Sequence, residues 1–317
     1  MKRLSIALLT LLALATGTRA AGVKSAGTST GAGVGVGAWA NPAQGAASPT
    51  FTEITRLPDQ LSFAGEKVPL ENRDTRESLI HELLTTSFMQ SRTTMALLNS
   101  TRYIPVIKPI LEQAGVPDDF VFLCMAESGF DPEAQSGAGA AGLWQLMPAV
   151  ARSYGLIVDK DIDERFNLEK STAAACSFLK DACAKLGTWT DAAASYNLGL
   201  TGVASRLAQQ GTTTYFDTFF PEETRRYIFR ILSFKLLSCD PARYGFNIPP
   251  NQYFTPLTGY TVMEVSDAQI DWSAVARANG TTYKALRELN PWIRGYEYKN
   301  TKGYKFNVKF PLAEAGR

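Results

Sequence analysis

The chain has 317 residues, 45% hydrophobic and 20% charged, which is typical of a globular protein with room for one large or two smaller domains. The formal net charge is +2 and the lysines and arginines form no continuous run, which argues against a basic stripe for nucleic acid. The single histidine, His81, lies in an amphipathic helical pattern, and no C-x-x-C pair is present. We therefore expect no zinc site and no histidine-dependent nucleophile.

The first twenty residues are typical of a secretory signal peptide, because a basic start precedes the apolar run LSIALLTLLALAT and a small-residue site at Thr18–Ala20. A membrane anchor is the alternative, although a span needs about 20 apolar residues and this run is shorter. No cysteine follows the run, which excludes lipid attachment there. We expect an exported chain that begins near Ala21, resides in the periplasm of a Gram-negative host and has no later transmembrane segment.

Two segments precede the main helical part of the chain. Residues 21–50 are dominated by glycine, alanine, serine and threonine, which predicts a flexible tether. Residues 51–94 are interpreted as a lead-in followed by an N-terminal helix. The part before residue 76 is expected to be loosely ordered, since Pro58 and Pro69 interrupt it.

Apolar residues recur at helical spacing from residue 76 to 240 without β-alternation, so we predict an all-helical domain over residues 95–240. The expected helices span residues 76–101, 104–114, 117–126, 148–154, 168–186, 190–197 and 224–237. Gly115 and Gly155 are expected to end the second and the fourth of them. The third helix would carry Glu127 at its C-terminal end.

The composition changes after Cys239. Residues 241–257 contain several prolines and suit a linker. The elements predicted in residues 258–317 are a strand at 260–265, helices at 272–280 and 282–290, and a strand at 304–311. This order defines a small β-α-α-β unit, so the predicted fold class is mainly α with one small mixed unit at the C-terminal end.

The cysteines are Cys124, Cys176, Cys183 and Cys239. Cys176 and Cys183 would lie about 10 Å apart along one helix, which is too far for a disulfide bond. Buried free thiols are the default expectation, and a disulfide bond from Cys239 to one of the others remains open.

Glu127 is the residue that first indicates a function. It follows the apolar run VFLCM almost directly and precedes a glycine-rich loop, so its carboxyl group should be poorly solvated. An apolar setting raises a carboxyl pKa and keeps the proton available near neutral pH, as a general acid requires. We therefore predict that Glu127 is a catalytic acid.

Four motifs occur in a fixed order: the pair Glu127-Ser128, then GLWQLMP, then YNLG, then ETRRY ending at Tyr227. Together they resemble the catalytic domain of lytic transglycosylases, relatives of goose-type lysozyme, over about residues 95–240. With the signal-peptide pattern and the C-terminal unit, the resemblance is greatest to the membrane-bound lytic murein transglycosylase D type. It implies a lysozyme-like, all-helical catalytic domain.

The resemblance implies a reaction on the glycan strands of peptidoglycan. Glu127 would protonate the glycosidic oxygen between N-acetylmuramic acid and N-acetylglucosamine, and its carboxylate would then take the proton of the muramic C6 hydroxyl. The product is a 1,6-anhydro sugar, and no metal or organic cofactor takes part. Hydrolysis by the usual routes needs two carboxylates. The nearest other acids are Asp131 and Glu133, and Asp131 precedes a proline in a turn-like pair.

The resemblance also implies a set of substrate-binding and supporting residues around Glu127. They are Ser128, Ser136, Gly142, Leu143, Gln145, Met147, Tyr196, Asn197 and Tyr227. Ser136 would touch the muramic acid region, and the amides of Gln145 and Asn197 would bond to acetamido and hydroxyl groups. Tyr227 would bring its hydroxyl group near the glutamate, and Tyr196 would stack on a sugar or order the site.

Most of these residues also have a purely structural interpretation. Ser128 could cap the turn after its helix, Ser136 could be a loop hydroxyl, and the two amides could satisfy the protein's own backbone. Leu143 and Met147 are residue types found more often in a core than in a contact. Trp144 and Ser195 depart from the family pattern, which more often has methionine and alanine at these positions; the tryptophan is expected to alter the wall of the cleft.

The C-terminal stretch ANGTTYKALRELNPWI resembles a LysM module, a fold that binds N-acetylglucosamine chains. The usual opening G-D-T is replaced by SDAQID (Ser266–Asp271), so sugar binding and a packing role both remain open. The predicted function is a secreted lytic transglycosylase with peptidoglycan as its partner. A hydrolytic muramidase of the same fold and a non-catalytic wall-binding protein are the alternatives.

Overall fold

The computed structural model describes residues 51–312, so the predicted signal peptide and tether lie outside the described residues. The first elements are α1 (Phe51–Thr55), β1 (Ser62–Phe63) and β2 (Glu66–Lys67). The loose order expected for this lead-in is wrong, because β1 and β2 form an antiparallel hairpin and Phe63 is fully buried. The ring of Phe63 lies edge-to-face on Phe120 with centroids 5.3 Å apart. Burial of such side chains outweighs the effect of the prolines.

Two long helices follow, α2 (Arg73–Phe88) and α3 (Gln90–Ala114). The break predicted after residue 101 is wrong: the chain breaks at Met89, and α3 continues through Pro105 and Pro109. The hydroxyl of Thr93 donates to the carbonyl oxygen of Thr86 across the break, at 2.7 Å. The stabilisation from burying one face of α3 therefore exceeds the cost of the two backbone hydrogen bonds that its prolines cannot donate.

The remaining helices of the larger domain surround the predicted site. They are α4 (Phe120–Ser128), α5 (Pro148–Ser153), α6 (Leu168–Leu186), α7 (Trp189–Leu198), α8 (Leu200–Gln210) and α9 (Glu222–Cys239). All except α8 were predicted close to these positions. α8 was not predicted because Gly199 and Gly202 at its start are typical of a loop, although Leu200, Val203 and Leu207 recur at helical spacing.

The central helix of this domain is α4, which packs against α3 and α9. It is buried along most of its length, from Phe120 to Ala126. A helix that is apolar on nearly all sides is stable only when other helices surround it. Between residues 76 and 240 the described chain has isolated β-bridges but no strand, which confirms the predicted all-helical domain.

The C-terminal unit contains the predicted β-α-α-β order, with two additional short strands beside its helices. Its elements are β3 (Tyr260–Val265), β4 (Gln269–Asp271), α10 (Trp272–Ala278), α11 (Tyr283–Leu289), β5 (Glu297–Lys299) and β6 (Phe306–Pro311). β3 and β6 pair antiparallel, with Tyr260 opposite Pro311 and Val265 opposite Phe306. The β4–β5 pair was not predicted, because strands of three residues are too short to show alternation.

The proline-containing segment between the two units packs against the helical domain. Tyr244 and Phe246 are buried in the larger core, and the backbone N–H of Phe254 donates to the carbonyl oxygen of Leu98 at 3.1 Å. The segment therefore adds buried surface to α3 and to the larger core.

The four cysteines are free thiols, so the disulfide bond left open for Cys239 is not formed. Cys124 and Cys176 are buried as expected, whereas Cys183 is half-buried and Cys239 is exposed. Within the described residues, none of the helices combines the length and apolarity needed to cross a membrane.

Candidate active site

Glu127 lies in the last turn of α4, where the buried helix reaches the surface. Gly129 ends the helix in a left-handed conformation, with φ 62°, and its N–H donates to the carbonyl oxygen of Met125 at 2.8 Å. The side chain of Glu127 is half-buried, while the residues just before it are fully enclosed. The structure therefore places the carboxyl group of Glu127 at the edge of the core.

Tyr227 on α9 contacts this carboxyl group directly. Its hydroxyl donates a hydrogen bond to Oε1 of Glu127. Burial raises the pKa of Tyr227 well above its usual value, and the neighbouring Glu127 raises it further, so the hydroxyl keeps its proton. Among the described hydrogen bonds, Tyr227 supplies the only one from a predicted site residue to the side chain of Glu127.

The pKa of Glu127 is raised above the ordinary glutamate value, and burial is the largest cause. The hydrogen bond from Tyr227 and the positive charges of Arg230 and Arg92 act in the opposite direction, since they stabilise the carboxylate. The negative charge of Glu223 adds a small increase. Burial thus makes Glu127 easier to protonate than an ordinary glutamate, while nearby groups can still stabilise its ionised form.

Arg92 and Arg230 were not predicted from the sequence. The guanidinium of Arg92 on α3 donates to the carbonyl oxygen of Ala126 at 3.0 Å, one residue before the glutamate. Arg230 lies one helical turn after Tyr227 on α9, and its Nη1 is 3.1 Å from Oε1 of Glu223. The i, i+3 spacing from Tyr227 was the available signal for Arg230. Arg92 carried no local signal, because it precedes the motifs by more than thirty residues.

The loop from Ala134 to Met147 holds several of the predicted site residues. The hydroxyl of Ser136 accepts a hydrogen bond from the N–H of Ala140 at 3.0 Å. The side-chain amide of Gln145 donates to the carbonyl oxygens of Ala134 at 3.0 Å and Gly142 at 2.8 Å. These two polar side chains therefore hold the loop in shape, as their structural interpretation anticipated.

Gly142 is required by close backbone packing. Its φ of 76° lies in the left-handed region, and a Cβ atom there would meet the carbonyl oxygen of Arg165 at 2.0 Å. Leu143, next to it, is 3% exposed and belongs to the core. Met147 is 42% exposed, so its side chain is available to a ligand at the surface.

Tyr196 and Asn197 on α7 differ in whether their side chains keep a polar group available for a substrate. The hydroxyl of Tyr196 donates to the carbonyl oxygen of Trp144 at 2.8 Å, which ties α7 to the loop. The side-chain oxygen of Asn197 accepts from the hydroxyl of Thr224 at 2.8 Å, and the residue is exposed. The amide NH₂ of Asn197 therefore remains available to a substrate.

Ser128 makes local bonds to the backbone rather than to the glutamate. Its hydroxyl donates to the carbonyl oxygen of Cys124 at 3.2 Å and accepts from the N–H of Phe130 at 3.1 Å. This bonding fixes the turn that follows α4. Within residues 51–312 no group of histidine, cysteine and acidic side chains is arranged to hold a metal ion.

A half-buried glutamate at the end of a buried helix, in an all-helical domain followed by a β-α-α-β unit, defines a lysozyme-like architecture with a LysM-like companion. Residues 105–219 match the family model described as the transglycosylase SLT domain. Residues 261–314 match the soluble lytic transglycosylase C-terminal LysM-like domain. The chain therefore contains a transglycosylase SLT domain followed by a LysM-like domain of the soluble lytic transglycosylase type.

The chain is similar to the membrane-bound lytic murein transglycosylase D of Escherichia coli, strains K12 and O6:H1. It is 27% identical to each over 252 residues, which covers 77% of this chain. The match covers 54% of each relative, so the chain spans about half the length of these curated proteins.

Two solved structures are similar to part of the chain. The soluble lytic transglycosylase SLT70 of Escherichia coli has a TM-score of 0.40 and 14% identity, covering 58% of this chain and 35% of that chain. An inactive mutant of the lytic transglycosylase Slt from Pseudomonas aeruginosa has a TM-score of 0.37 and 19% identity, covering 49% and 26%.

Proposed function

We propose that the protein is a lytic transglycosylase that cleaves the bond between N-acetylmuramic acid and N-acetylglucosamine in peptidoglycan. The observation that carries the proposal is the pair formed by Glu127 and Tyr227, in which a half-buried carboxyl group of raised pKa accepts a hydrogen bond from a permanently protonated hydroxyl. A carboxyl group in this setting suits proton donation near neutral pH. The match to the transglycosylase domain model and the similarity to murein transglycosylases support peptidoglycan as the substrate class.

In the proposed reaction, protonated Glu127 donates its proton to the glycosidic oxygen while the bond to the muramic C1 breaks. The resulting carboxylate then accepts the proton of the muramic C6 hydroxyl, whose oxygen attacks C1 and forms the 1,6-anhydro ring. One proton leaves Glu127 and one returns, so no water is consumed. Tyr227 would stabilise the carboxylate between the two steps, and the charges of Arg92 and Arg230 would assist it.

The number of carboxylates bears on the choice between lysis and hydrolysis. Oδ1 of Asp131 accepts a hydrogen bond from the N–H of Glu133 at 3.0 Å, which is the turn predicted for this pair. Glu223 is the carboxylate whose charge acts on Glu127, and it is paired with Arg230. These contacts favour Glu127 as the single catalytic carboxylate, since hydrolysis would normally need a free second one.

The roles of the other site residues follow from whether their side chains are exposed or are already bonded to the protein's own backbone. Asn197 and Met147 are exposed and would contact the sugar directly. Ser136, Gln145 and Tyr196 would act mainly by shaping the loop and its link to α7.

The envelope is the proposed location. The relatives named above are membrane-bound murein transglycosylases, and the N-terminal pattern predicts export, so a periplasmic enzyme acting on the cell wall is the consistent proposal.

The proposal is tested by incubating peptidoglycan sacculi with the protein and analysing the soluble products by mass spectrometry. Wild-type protein should give muramic ends that borohydride cannot reduce, and Glu127→Gln should give none. Glu133→Gln and Glu223→Gln are matched controls that remove a nearby carboxylate and should retain the product. Reducing ends that disappear in Glu223→Gln would instead establish a two-carboxylate hydrolase. Tight binding to sacculi without any product would indicate a wall-binding protein.

A further inference from the structure

The C-terminal unit shares its hydrophobic core with the helical domain. Its hydrophobic core contains Ala141, Ile162 and Phe166 of the helical domain, all of them buried, together with residues of the unit itself. Those residues are Val265, Ile270, Trp272, Ala276, Leu286, Trp292, Ile293, Phe306, Val308 and Phe310. Ala141 lies in the loop that carries Gln145 and Met147. The core of the C-terminal unit therefore includes one residue of the loop beside the candidate active site.

A backbone seam joins the same two parts of the chain. Ile162 and Ile293 form an antiparallel bridge, and the N–H of Asp163 donates to the carbonyl oxygen of Trp292 at 2.9 Å. The N–H groups of Arg294 and Gly295 donate to the carbonyl oxygen of Asp161, at 2.7 and 3.0 Å. Three backbone hydrogen bonds and one isolated β-bridge thus hold the segment 161–163 against the C-terminal unit.

Gly295 shows how close the two backbones are at this seam. A Cβ atom at Gly295 would lie 2.6 Å from Oδ1 of Asp161 and 3.1 Å from its Cβ. The edge of the C-terminal unit formed by residues 292–295 is consequently covered by the helical domain. A glycan chain cannot occupy this edge while the seam is closed.

Arg165 connects the seam to the active-site loop. Its guanidinium is 5% exposed and forms a two-point ion pair with Asp163, with Nε 2.9 Å from Oδ1 and Nη2 2.7 Å from Oδ2. Its Nη1 donates to the carbonyl oxygens of Gly139 at 2.6 Å and Leu146 at 3.1 Å. One buried cation therefore binds both sides of the loop at once.

We propose that Arg165 is a positioning residue for the active-site loop, and that Asp163 and the C-terminal unit hold it in place. In this proposal the C-terminal unit fixes the segment 161–163 through the seam. Asp163 then fixes Arg165 through the ion pair, and Arg165 holds the loop. The planar guanidinium is needed because it offers donors in a fixed fork, which a lysine cannot reproduce. The statement about catalysis rests on the proposed function, whereas the statement about the loop does not.

The first experiment measures hydrogen–deuterium exchange in the full-length protein. The amides of Ala141, Gly142 and Leu146 are hydrogen-bonded within the loop, to Leu146, Ala134 and Ala141 respectively. Arg165→Gln should make them exchange at least about tenfold faster, because the two carbonyl anchors are lost. Arg165→Lys should restore protection only in part.

Arg152→Gln is the matched control. The guanidinium of Arg152 also binds a backbone carbonyl beside this segment, that of Val158, through Nε at 3.2 Å and Nη2 at 2.7 Å, but it does not reach the loop. Its loop amides should exchange as in wild type. Unchanged loop protection in Arg165→Gln, or equal losses in the two variants, would overturn the proposal.

The second experiment separates positioning from general stability through kinetics on a soluble glycan. Arg165→Gln should lower kcat by about 10- to 100-fold with little change in KM, as expected when a loop is displaced by roughly 1 Å. If Arg165→Gln does not fold, Asp163→Asn keeps the side-chain shape, removes the ion pair and should produce the same pattern in weaker form. Normal kcat with a mobile loop would refute the catalytic part. An inactive wild-type protein would refute the proposed function, while the exchange result would still decide the loop.

Discussion

At the scale of single residues, the protonation of Glu127 is set by opposing interactions. Burial raises its pKa, and the hydrogen bond from Tyr227 with the charges of Arg230 and Arg92 lowers it again. If Glu127 must be protonated to start the reaction, the rate falls on the alkaline side as the carboxyl group ionises. Removal of any group that stabilises the carboxylate should therefore move this alkaline limb upward.

Tyr227→Phe is expected to shift the alkaline limb of the kcat/KM profile to higher pH, because the carboxylate loses its hydrogen bond. It should also lower kcat by about 10- to 100-fold, the usual cost of losing a hydrogen bond to a charged group. The measurement is a pH–rate profile on a soluble glycan. Tyr215→Phe is the control, since the buried hydroxyl of Tyr215 donates to the carbonyl oxygens of Thr224 and Arg225 and does not bond to Glu127. A limb that stays in place in Tyr227→Phe would contradict the assignment.

Arg92→Gln should also move the alkaline limb upward, by less than Tyr227→Phe, because Arg92 acts on Glu127 through its charge and makes no hydrogen bond to the carboxyl group. The difference in pH between the alkaline limbs of wild type and Arg92→Gln should become smaller as salt is added. Lys108→Gln removes a positive charge from the same helix, where Lys108 pairs with Asp118 at 3.1 Å, and should leave the profile unchanged. Equal shifts in the two variants would indicate a general charge effect.

The residues that contact the reacting carboxyl group were only partly predictable. Glu127 and Tyr227 could be predicted because each lies in a motif, and the apolar run before Glu127 gave an independent physical reason. Ser136 and Gln145 were predicted as members of the site, yet their bonds go to the backbone of the loop. Arg92 could not be predicted, because its proximity depends on how α3 packs beside α4.

At the scale of elements, the start of α7 shows how buried acids fix a helix that carries site residues. Glu66 of the β1–β2 hairpin accepts hydrogen bonds from the N–H groups of Trp189 and Thr190, at 2.6 and 2.9 Å. Asp191 is fully buried and accepts a bond from the hydroxyl of Thr188 at 2.6 Å. Burial raises the pKa of Asp191 from 3.8 to about 6, and the charge of Glu66 contributes to the increase.

Asp191→Asn should therefore change how stability depends on pH. Since the folded state binds this proton more tightly than the unfolded state, the contribution of Asp191 to stability is greatest below the ordinary aspartate pKa and is lost as pH rises through about 6. The decline attributable to Asp191 is about 1–3 kcal/mol. Urea unfolding at about pH 4 and pH 7 should show a smaller decline in the variant.

Asp217→Asn is the matched control for this change. Asp217 accepts a bond from the hydroxyl of Thr214 at 2.8 Å with the same spacing, but it is exposed. Its variant should keep the wild-type dependence on pH. An identical decline in Asp191→Asn and wild type would show that the buried acid does not titrate as described.

Helices were predictable where burial was strong and boundaries had clear caps. α6 has its predicted bounds, since Asn167 accepts from the N–H of Lys170 at its start and Gly187 ends it. α8 was missed because Gly199 and Gly202 at its start indicate a loop, even though its apolar residues recur at helical spacing. The hairpin was missed because its order depends on distant contacts to α4 and α7 rather than on its own sequence.

At the scale of the whole molecule, the shared core predicts that the helical domain and the C-terminal unit unfold together. Ile162 and Ile270 lie in that core from opposite sides, each 1% exposed or less. Changing either to alanine should cost about 2–4 kcal/mol and move one common transition. Hydrogen–deuterium exchange of peptides from the helical domain and from the C-terminal unit should depend on urea concentration in the same way. Two separate transitions, with Ile270→Ala affecting only the later residues, would show that the units are independent.

The measurement that tests the central claim most directly is the reaction run in water labelled with heavy oxygen. Lysis uses the C6 hydroxyl of muramic acid, so the account predicts products of sacculus digestion that contain no label at the muramic end and lack one water relative to hydrolysed ends. Glu127→Gln should release neither product. Labelled, reducible muramic ends from the wild-type protein would contradict the account, because water would then be the group that Glu127 activates.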